Sequence, residues 1–151
     1  MILSQKTWHV PTRRISPVTI AKAVGLFAYT LAIVLVVRLL LTLTSHRTVL
    51  KVLPSGLKRI APDPMVWRMA KAVTLASRLV PGASCLTQAL ALQLILGQRG
   101  YATEVRIGVK ADGSDVVAHA WLLSNGKIAI GGSPQEIAAY LPITMLGSRK
   151  A

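Results

Sequence analysis

The stretch SCLTQALALQLILGQRG, residues 84–100, predicts an α-helix that carries the only cysteine of the chain in its first turn. Ser84 is a natural N-cap, because its hydroxyl can accept a hydrogen bond from a backbone amide two or three residues later. A broad apolar stripe at helical spacing follows the cap. It comprises Leu86, Ala89, Leu90, Leu94 and Ile95.

The two ends of this predicted helix suit different residues. At the C-terminal end, Arg99 complements the negative pole of the helix dipole, and Gly100 can take the left-handed C′ conformation. At the N-terminal end, unpaired amides and the positive pole favour a thiolate at Cys85. A free cysteine is also common as a small buried hydrophobe. The helix alone therefore leaves both a reactive and an inert Cys85 open.

Composition limits the class of protein. The 151 residues fit one domain with an extension, and 52% apolar residues are enough for a hydrophobic core. A single cysteine excludes an internal disulfide and a cysteine-rich zinc site, and it fits a reducing compartment. The net charge of +13 favours acidic partners, namely nucleic acid, anionic lipid or an acidic peptide. Nucleic acid is the weakest of these, because no RNA-binding motif accompanies the basic residues; a basic surface without a specific partner is the alternative.

The N-terminal third combines a loose basic arm, residues 1–15, with a long apolar helix. Ser16-Pro17 is a helix start signal, and the helix is expected to continue to Leu43. Its uncharged run, residues 23–37, is shorter than the ~20 apolar residues of a membrane span, and Arg38 interrupts it. Two interpretations stay open. The helix either packs on the domain, buried or interfacial, or anchors the chain in a membrane that tolerates Arg38.

A second helix is predicted between the apolar helix and the cysteine. A basic connector, residues 44–61, contains a turn at Pro54-Ser55-Gly56 and leads to Asp63-Pro64, a start signal with Asp63 as N-cap. Residues 65–80 then show the pattern of an amphipathic helix. Its predicted core face comprises Val66, Met69, Ala70, Val73, Ala76 and Val80.

After Gly100 the hydrophobic period changes from 3.6 to 2, which indicates β-strands. Strands are expected at residues 104–110, 116–123 and 127–130. Asn125-Gly126 predicts a tight hairpin turn between the last two. Residues 136–140 are expected to form a helical turn, after which the basic tail frays. Helices followed by a small antiparallel sheet place the chain in the α+β class.

Cys85 and His119 form the candidate catalytic pair. A cysteine nucleophile needs a base for its proton and a third group that orients the base. A helix and a strand can pack so that these two side chains face each other. His9 and His46 lie in the basic N-terminal part and are poorer partners. A histidine satisfied within the core is the structural alternative for His119, and Trp121 beside it is a candidate substrate contact.

Several segments together resemble one known family. They are the run Cys-Leu-x-x-Ala-Leu-Ala-Leu-Gln-x-Ile-Leu-x-x-x-Gly at 85–100, Ile107-Gly108-Val109, Ala118-His119-Ala120-Trp121, and Gly126 leading to Ile130-Gly131-Gly132. The combination resembles the lasso peptide biosynthesis B proteins in their stand-alone leader-peptidase form. The likeness covers about residues 64–146, and an upstream apolar helix is also usual in that family.

The resemblance implies a transglutaminase-like, papain-related cysteine protease fold. On this basis we expect residues 1–61 to form the arm, apolar helix and connector, and residues 62–151 the protease domain. The implied activity removes the leader from a ribosomally made precursor peptide, so that a separate ATP-dependent cyclase can close the lasso ring. Cys85 would be the nucleophile and His119 the base. The Cys85 backbone amide would bind the oxyanion, with Gln88 as a weaker second donor.

The third catalytic residue departs from the family pattern. The family has a carboxylate near the end of the third strand, where this chain has Ile130-Gly131-Gly132. Glu136 is the nearest carboxylate downstream and our candidate, with Asp115 as the alternative. Asn125 and Gln135 are weaker candidates. A site without an acid also stays open, because losing an orienting group costs less than losing the nucleophile.

The implied partners are the precursor peptide, a separate leader-binding protein and the cyclase; neither a metal nor an organic cofactor is implied. The expected location is the cytoplasm, with membrane association as an alternative. Two other functions stay open on the same fold: a catalytically weak membrane-associated scaffold, and a transamidase that passes the acyl group to an amine.

Overall fold

The protein, a computed structural model, is described over residues 17–44 and 57–147, with side chains up to residue 143. Its elements are α1 (Pro17–Leu43), α2 (Asp63–Ser77), α3 (Cys85–Gly97), β1 (Glu104–Asp112), β2 (Asp115–Ser124), β3 (Lys127–Ile130), α4 (Pro134–Ile137) and β4 (Leu141–Gly147). This order confirms the predicted α+β class. The predicted basic arm, the Ser16 cap, the turn at residues 54–56 and the end of the tail lie outside the described residues.

Helix α3 is the central helix of the core, and both predicted ends are confirmed. The Thr87 N–H donates to Ser84 Oγ at 3.4 Å, and the Ser84 N–H donates to Thr87 Oγ1 at 3.3 Å. At the other end, the Gly100 N–H reaches Gly97 O at 2.8 Å and the Tyr101 N–H reaches Leu96 O at 3.1 Å, the two bonds of a Schellman motif. The side chains of Leu90, Leu92, Ile95 and Leu96 are fully buried.

Helix α1 packs on α2 and α3 through one side. Val34 and Val37 on that side are buried. Tyr29 donates to Gln98 at the C-terminal end of α3, whereas Arg38 Nε donates to Pro81 O at 3.4 Å, just before α3 begins. The two helices therefore run antiparallel. In the described part of the chain, α1 is the one helix whose length and composition would suffice to span a membrane.

Helix α2 carries five of the six predicted core residues and ends at Ser77 rather than Val80, which lies in the following turn; all six side chains are buried. Its start differs from the prediction, because Asp63 is the first helical residue and Pro62 precedes it without a side-chain cap. The Asp63 carboxylate is instead bound by Lys127 Nζ at 2.5 Å and Asn125 Nδ2 at 3.2 Å. The hydrogen bond from Lys127 is the main reason why the pKa of Asp63 lies below its usual value.

The sheet has the strand order β3-β2-β1-β4, with antiparallel neighbours throughout. The predicted turn is confirmed, since Asn125 (φ 53°) and Gly126 (φ 73°) both have the positive φ of a type I′ hairpin. Strand β4 was not predicted; residues 141–147 pair with β1. Pro142 hides the strand pattern, but a proline is tolerated on an edge strand.

Candidate active site

Cys85 opens onto the cavity where the helices meet the sheet. The local sequence puts it there, because the Ser84 cap ends the preceding turn and makes Cys85 the first residue of α3. Its thiol is free and half-buried. The cavity has a volume of about 630 Å³, and it is lined by Cys85, Gln88, His119, Gly131, Glu136 and Tyr140 among others. The structure thus brings the two predicted catalytic side chains to one opening.

His119 reaches this cavity from the middle of β2, where it is half-buried. Its Nε2 atom lies 2.5 Å from the carbonyl oxygen of Gly131, just after β3. The ring of Tyr140 lies 5.2 Å from the imidazole, centroid to centroid, and the ring of Trp121 stacks at 6.3 Å. A backbone acceptor and two aromatic rings therefore restrict the orientation of His119.

Glu136 lines the same cavity and also caps α4. Its Oε2 accepts a hydrogen bond from the Ser133 N–H at 2.6 Å, while the Glu136 N–H donates to Ser133 Oγ at 3.3 Å. The bonds to Ser133 are the main reason why the pKa of Glu136 lies below its usual value, and attraction to His119 lowers it further. Glu136 is thus an ionised carboxylate near His119 whose bonded partner is the backbone of residue 133.

The alternative third residues occupy different places. Asp115 is exposed at the start of β2, opposite Asp112 in the β1–β2 hairpin, and it does not line the cavity. Asn125 donates to Ala61 O at 2.7 Å from the far hairpin turn. Gln135 does line the cavity, as does Gln88 from the first turn of α3. Among the described residues, Glu136 is the carboxylate that lines it.

Trp121 does not occupy the position expected of a substrate contact. Its side chain is 2% exposed, so little of it is open to a substrate. The indole lies across Gly108 on β1, where an added Cβ would approach Trp121 Cη2 to 2.8 Å. Its period-2 alternation with His119 led to the prediction, but the same alternation also fits a buried support for the histidine ring.

Tyr140 and Lys110 are among the lining residues that were not predicted from the sequence. Tyr140 follows α4 with its ring tilted 35° against His119, and Lys110 Nζ lies 5.1 Å from the Tyr140 ring centroid. Their positions in the sequence could have indicated them. Lys110 is close to the β1 residue that pairs with His119, and Tyr140 lies just before Pro142. The hydrogen-bonding role of the Gly131 carbonyl was also missed, because a main-chain atom has no signature in sequence.

The arrangement supplies the parts of an acyl-transfer site. A thiol at a helix N-terminus can attack a carbonyl, an imidazole at the same opening can move the proton, and free amides of the first helical turn can bind an oxyanion. Over residues 17–44 and 57–147, no three His, Cys, Asp or Glu side chains are placed to hold a metal ion.

Comparison with known proteins identifies the family. No curated protein and no solved structure matches the chain. The sequence profile of the transglutaminase-like superfamily, however, matches residues 28–145, which begin within α1 and include the whole cavity. This superfamily has the fold of cysteine proteases and transglutaminases, in agreement with the helix-borne Cys85 and strand-borne His119. The chain belongs to the transglutaminase-like superfamily.

Proposed function

We propose that the protein is a cysteine endopeptidase that removes the leader from a ribosomally synthesised lasso peptide precursor. The observation that carries the proposal is the common cavity of Cys85, at the N-terminus of α3, and His119. The superfamily supports acyl-transfer chemistry in general. The choice of a lasso precursor rests on the sequence resemblance of residues 64–146.

The reaction would begin with the attack of Cys85. His119 takes the thiol proton, and the sulfur forms a bond to the carbonyl carbon of the last leader residue. The tetrahedral oxyanion would accept from the Cys85 N–H, because the first amides of a helix have no acceptor within it. Gln88 lines the cavity one turn later and is the candidate second donor.

Collapse of this intermediate would release the core peptide. The C–N bond breaks, and His119 returns the proton to the leaving nitrogen, which becomes the N-terminal amine of the core. The leader remains on Cys85 as a thioester. Water, deprotonated by His119, then adds to the thioester, and the thiolate leaves with a proton from the imidazolium. The freed amine is the nucleophile that the cyclase needs for ring closure.

The shape around the site favours an extended peptide as substrate. Thr74, Ile130, Gly131 and Gly132 line both the catalytic cavity and a neighbouring groove of about 470 Å³. Lys71 and Arg78 line that groove, where Lys71 Nζ lies 4.0 Å from the centroid of the exposed Trp67 ring. We propose that a peptide passes over Gly131 and Gly132 and places an acidic residue beside these cations.

The proposed partners follow from the same reading. A separate leader-binding protein would present the precursor, and the ATP-dependent cyclase would receive the core peptide. We place the reaction in the cytoplasm, with the exposed apolar side of α1 as a candidate contact with a membrane surface. That side includes Leu35, Val36, Leu39 and Leu43.

The test is incubation of the full chain with a lasso precursor and the leader-binding protein, followed by mass spectrometry. We expect free leader and free core from the wild type, and no cleavage by Cys85→Ala, which retains the helix because alanine is a strong helix former. Added glycine amide should not appear in the leader product. Leader carrying the amine would favour the transamidase, and absence of any product would favour the scaffold.

A charge-reversal pair tests the peptide path. Lys71→Glu and Arg78→Glu should raise KM for a precursor with acidic leader positions and leave kcat within about threefold, because these side chains lie outside the reacting atoms. Lys58→Glu, an exposed change of equal charge, should leave KM unchanged. An equal rise in KM for all three variants would indicate that the overall positive charge of the protein, rather than this groove, attracts the precursor.

A further inference from the structure

We propose that the main-chain carbonyl of Gly131 takes the place of the third catalytic side chain and fixes the ring of His119. This inference rests on the proposed use of Cys85 and His119 as a catalytic pair. The resemblance places an orienting carboxylate near the end of the third strand, and this chain has Gly131-Gly132 there. At that position the Gly131 oxygen lies 2.5 Å from His119 Nε2.

The chemistry of the acceptor determines the tautomer of the histidine. A carbonyl oxygen can only accept a hydrogen bond, so Nε2 must carry the proton. In the neutral ring, the lone pair is then on Nδ1. Nδ1 is therefore the atom that takes the proton of Cys85, and the tautomer is set before substrate arrives. An orienting carboxylate would set the same tautomer, but a carbonyl does so without a full negative charge.

The approach of this carbonyl to β2 depends on glycine. Gly131 has φ +107°, which L-residues rarely adopt, and a Cβ there would lie 2.6 Å from Trp121 Cβ, 2.7 Å from Trp121 Cα and 2.8 Å from Ala120 O. These atoms belong to β2, the strand that carries His119, and cannot move aside as the end of a flexible side chain could. A side chain at 131 must therefore push the carbonyl away from the imidazole.

The next residue provides a matched control. Gly132 also has a positive φ, +115°, but the three atoms nearest to a Cβ there all belong to the Glu136 side chain, with Oε2 at 3.0 Å. Alanine at 132 thus introduces a similar backbone strain while its contact is the far end of a side chain that can turn. The two glycines both have a positive φ. They differ in whether an added side chain displaces the carbonyl that contacts His119.

Glu136 has a separate role in this account. Its carboxylate accepts from the Ser133 N–H at 2.6 Å, and its influence on His119 is an attraction between charges. A neutral glutamine at 136 should therefore leave the ring orientation and the tautomer of His119 unchanged. This separates orientation by Gly131 from charge stabilisation by Glu136.

The first experiment determines the tautomer directly in the full chain. Nitrogen NMR of the protein labelled with ¹⁵N-histidine, with the His119 signal assigned by its loss in His119→Gln, should show a protonated Nε2 and an unprotonated Nδ1 when the ring is neutral. Glu136→Gln should give the same pattern. A protonated Nδ1 in the wild type, or a tautomer that changes in Glu136→Gln, would overturn the proposal.

The second experiment measures the consequence for rate. Gly131→Ala should lower kcat for precursor cleavage on the order of 10²-fold, the contribution of a positioned base, whereas Gly132→Ala, on the proposed peptide path but not bonded to the imidazole, should act mainly on KM. Equal losses of kcat in the two variants would contradict the proposal. If Gly131→Ala does not fold, the NMR result for the wild type decides. The expected tautomer without cleavage of any precursor would contradict the proposed function and leave the orientation of His119 supported.

Discussion

The residues of the candidate site are held by contacts that differ in kind. Cys85 is placed by a helix cap, His119 by a strand and a backbone carbonyl, and Glu136 by the cap of a one-turn helix. Because these contacts are independent, single substitutions should affect them separately.

Glu136 gives a prediction about pH. Its pKa is lowered in the folded state, so the capping bonds contribute stability above the ordinary glutamate value of 4.5, and this contribution is lost as the pH falls through the lower folded value. Glu136→Gln should be less stable than the wild type in urea unfolding at pH 7. At pH 2.5 the difference should shrink; a difference that stays constant with pH would show that the charge does not stabilise the cap.

Prediction from sequence was strongest where a residue's neighbours are close in the chain. The Ser84 cap and the Gly100 turn are local, and both were predicted. The Asp63 cap was predicted and is wrong, because Lys127 and Asn125, more than 60 residues later, bind the carboxylate. The Gly131 carbonyl could not be predicted at all, since its role depends on the packing of β3 against β2.

At the scale of elements, the Asn125-Gly126 turn joins the far end of the sheet to the start of α2. Asn125 Nδ2 donates to Ala61 O at 2.7 Å and to Asp63 Oδ1 at 3.2 Å, and its φ is positive. The backbone of Asn125 therefore forms the turn, and its side chain connects the turn to the start of α2. Two substitutions can separate the roles.

Asn125→Gly should keep the turn and lose only the side-chain hydrogen bonds, at a cost of about 1 kcal/mol in the free energy of unfolding. Asn125→Ala should lose the same bonds and keep a β-carbon in the left-handed region without the short polar side chain that lets asparagine adopt it, which adds about 1–2 kcal/mol. Urea denaturation measures both. Equal free energies for the two variants would contradict a type I′ turn at this position.

Helices and strands with a clear hydrophobic pattern were predicted, and β4, whose pattern is interrupted, was not. Helices α1 to α3 and strands β1 and β2 have long apolar or alternating runs, and the short β3 follows the Asn125-Gly126 turn signal, whereas β4 has a proline at its second residue and pairs only with β1. Its alternation of Leu141, Ile143 and Met145 was the available signal. The pairing itself could not be predicted, because β2, β3 and α4 separate β4 from β1 in the sequence and local patterns do not indicate such long-range contacts.

At the scale of the whole molecule, α1 is a structural part of the domain. Val34 and Val37 are buried against the core, and Arg38 reaches the Pro81-Gly82 turn that delivers the chain to Cys85. An added Cβ at Gly82 would lie 2.5 Å from Arg38 Nη2, so the guanidinium lies directly on this turn. A charged residue within the apolar helix thus has a partner in the protein.

Deletion of residues 1–43 should therefore leave an insoluble or inactive remainder. Each buried aliphatic side chain contributes ~1.5–3 kcal/mol relative to exposure, and the deletion removes at least Val34 and Val37 while it uncovers α2 and α3. Sedimentation and precursor cleavage by the fragment from Thr44 test this. A soluble fragment with wild-type cleavage would show that α1 serves only as an anchor.

If Cys85 and His119 work as a pair, the alkylation rate of Cys85 depends on His119. Cys85 is the only cysteine in the chain, so the rate of reaction with iodoacetamide reports on it without background. We expect the wild type to react faster than His119→Ala between pH 6 and 8, since a neighbouring imidazolium favours the thiolate. Identical rates for the two proteins across this range would contradict the pairing and the account built on it.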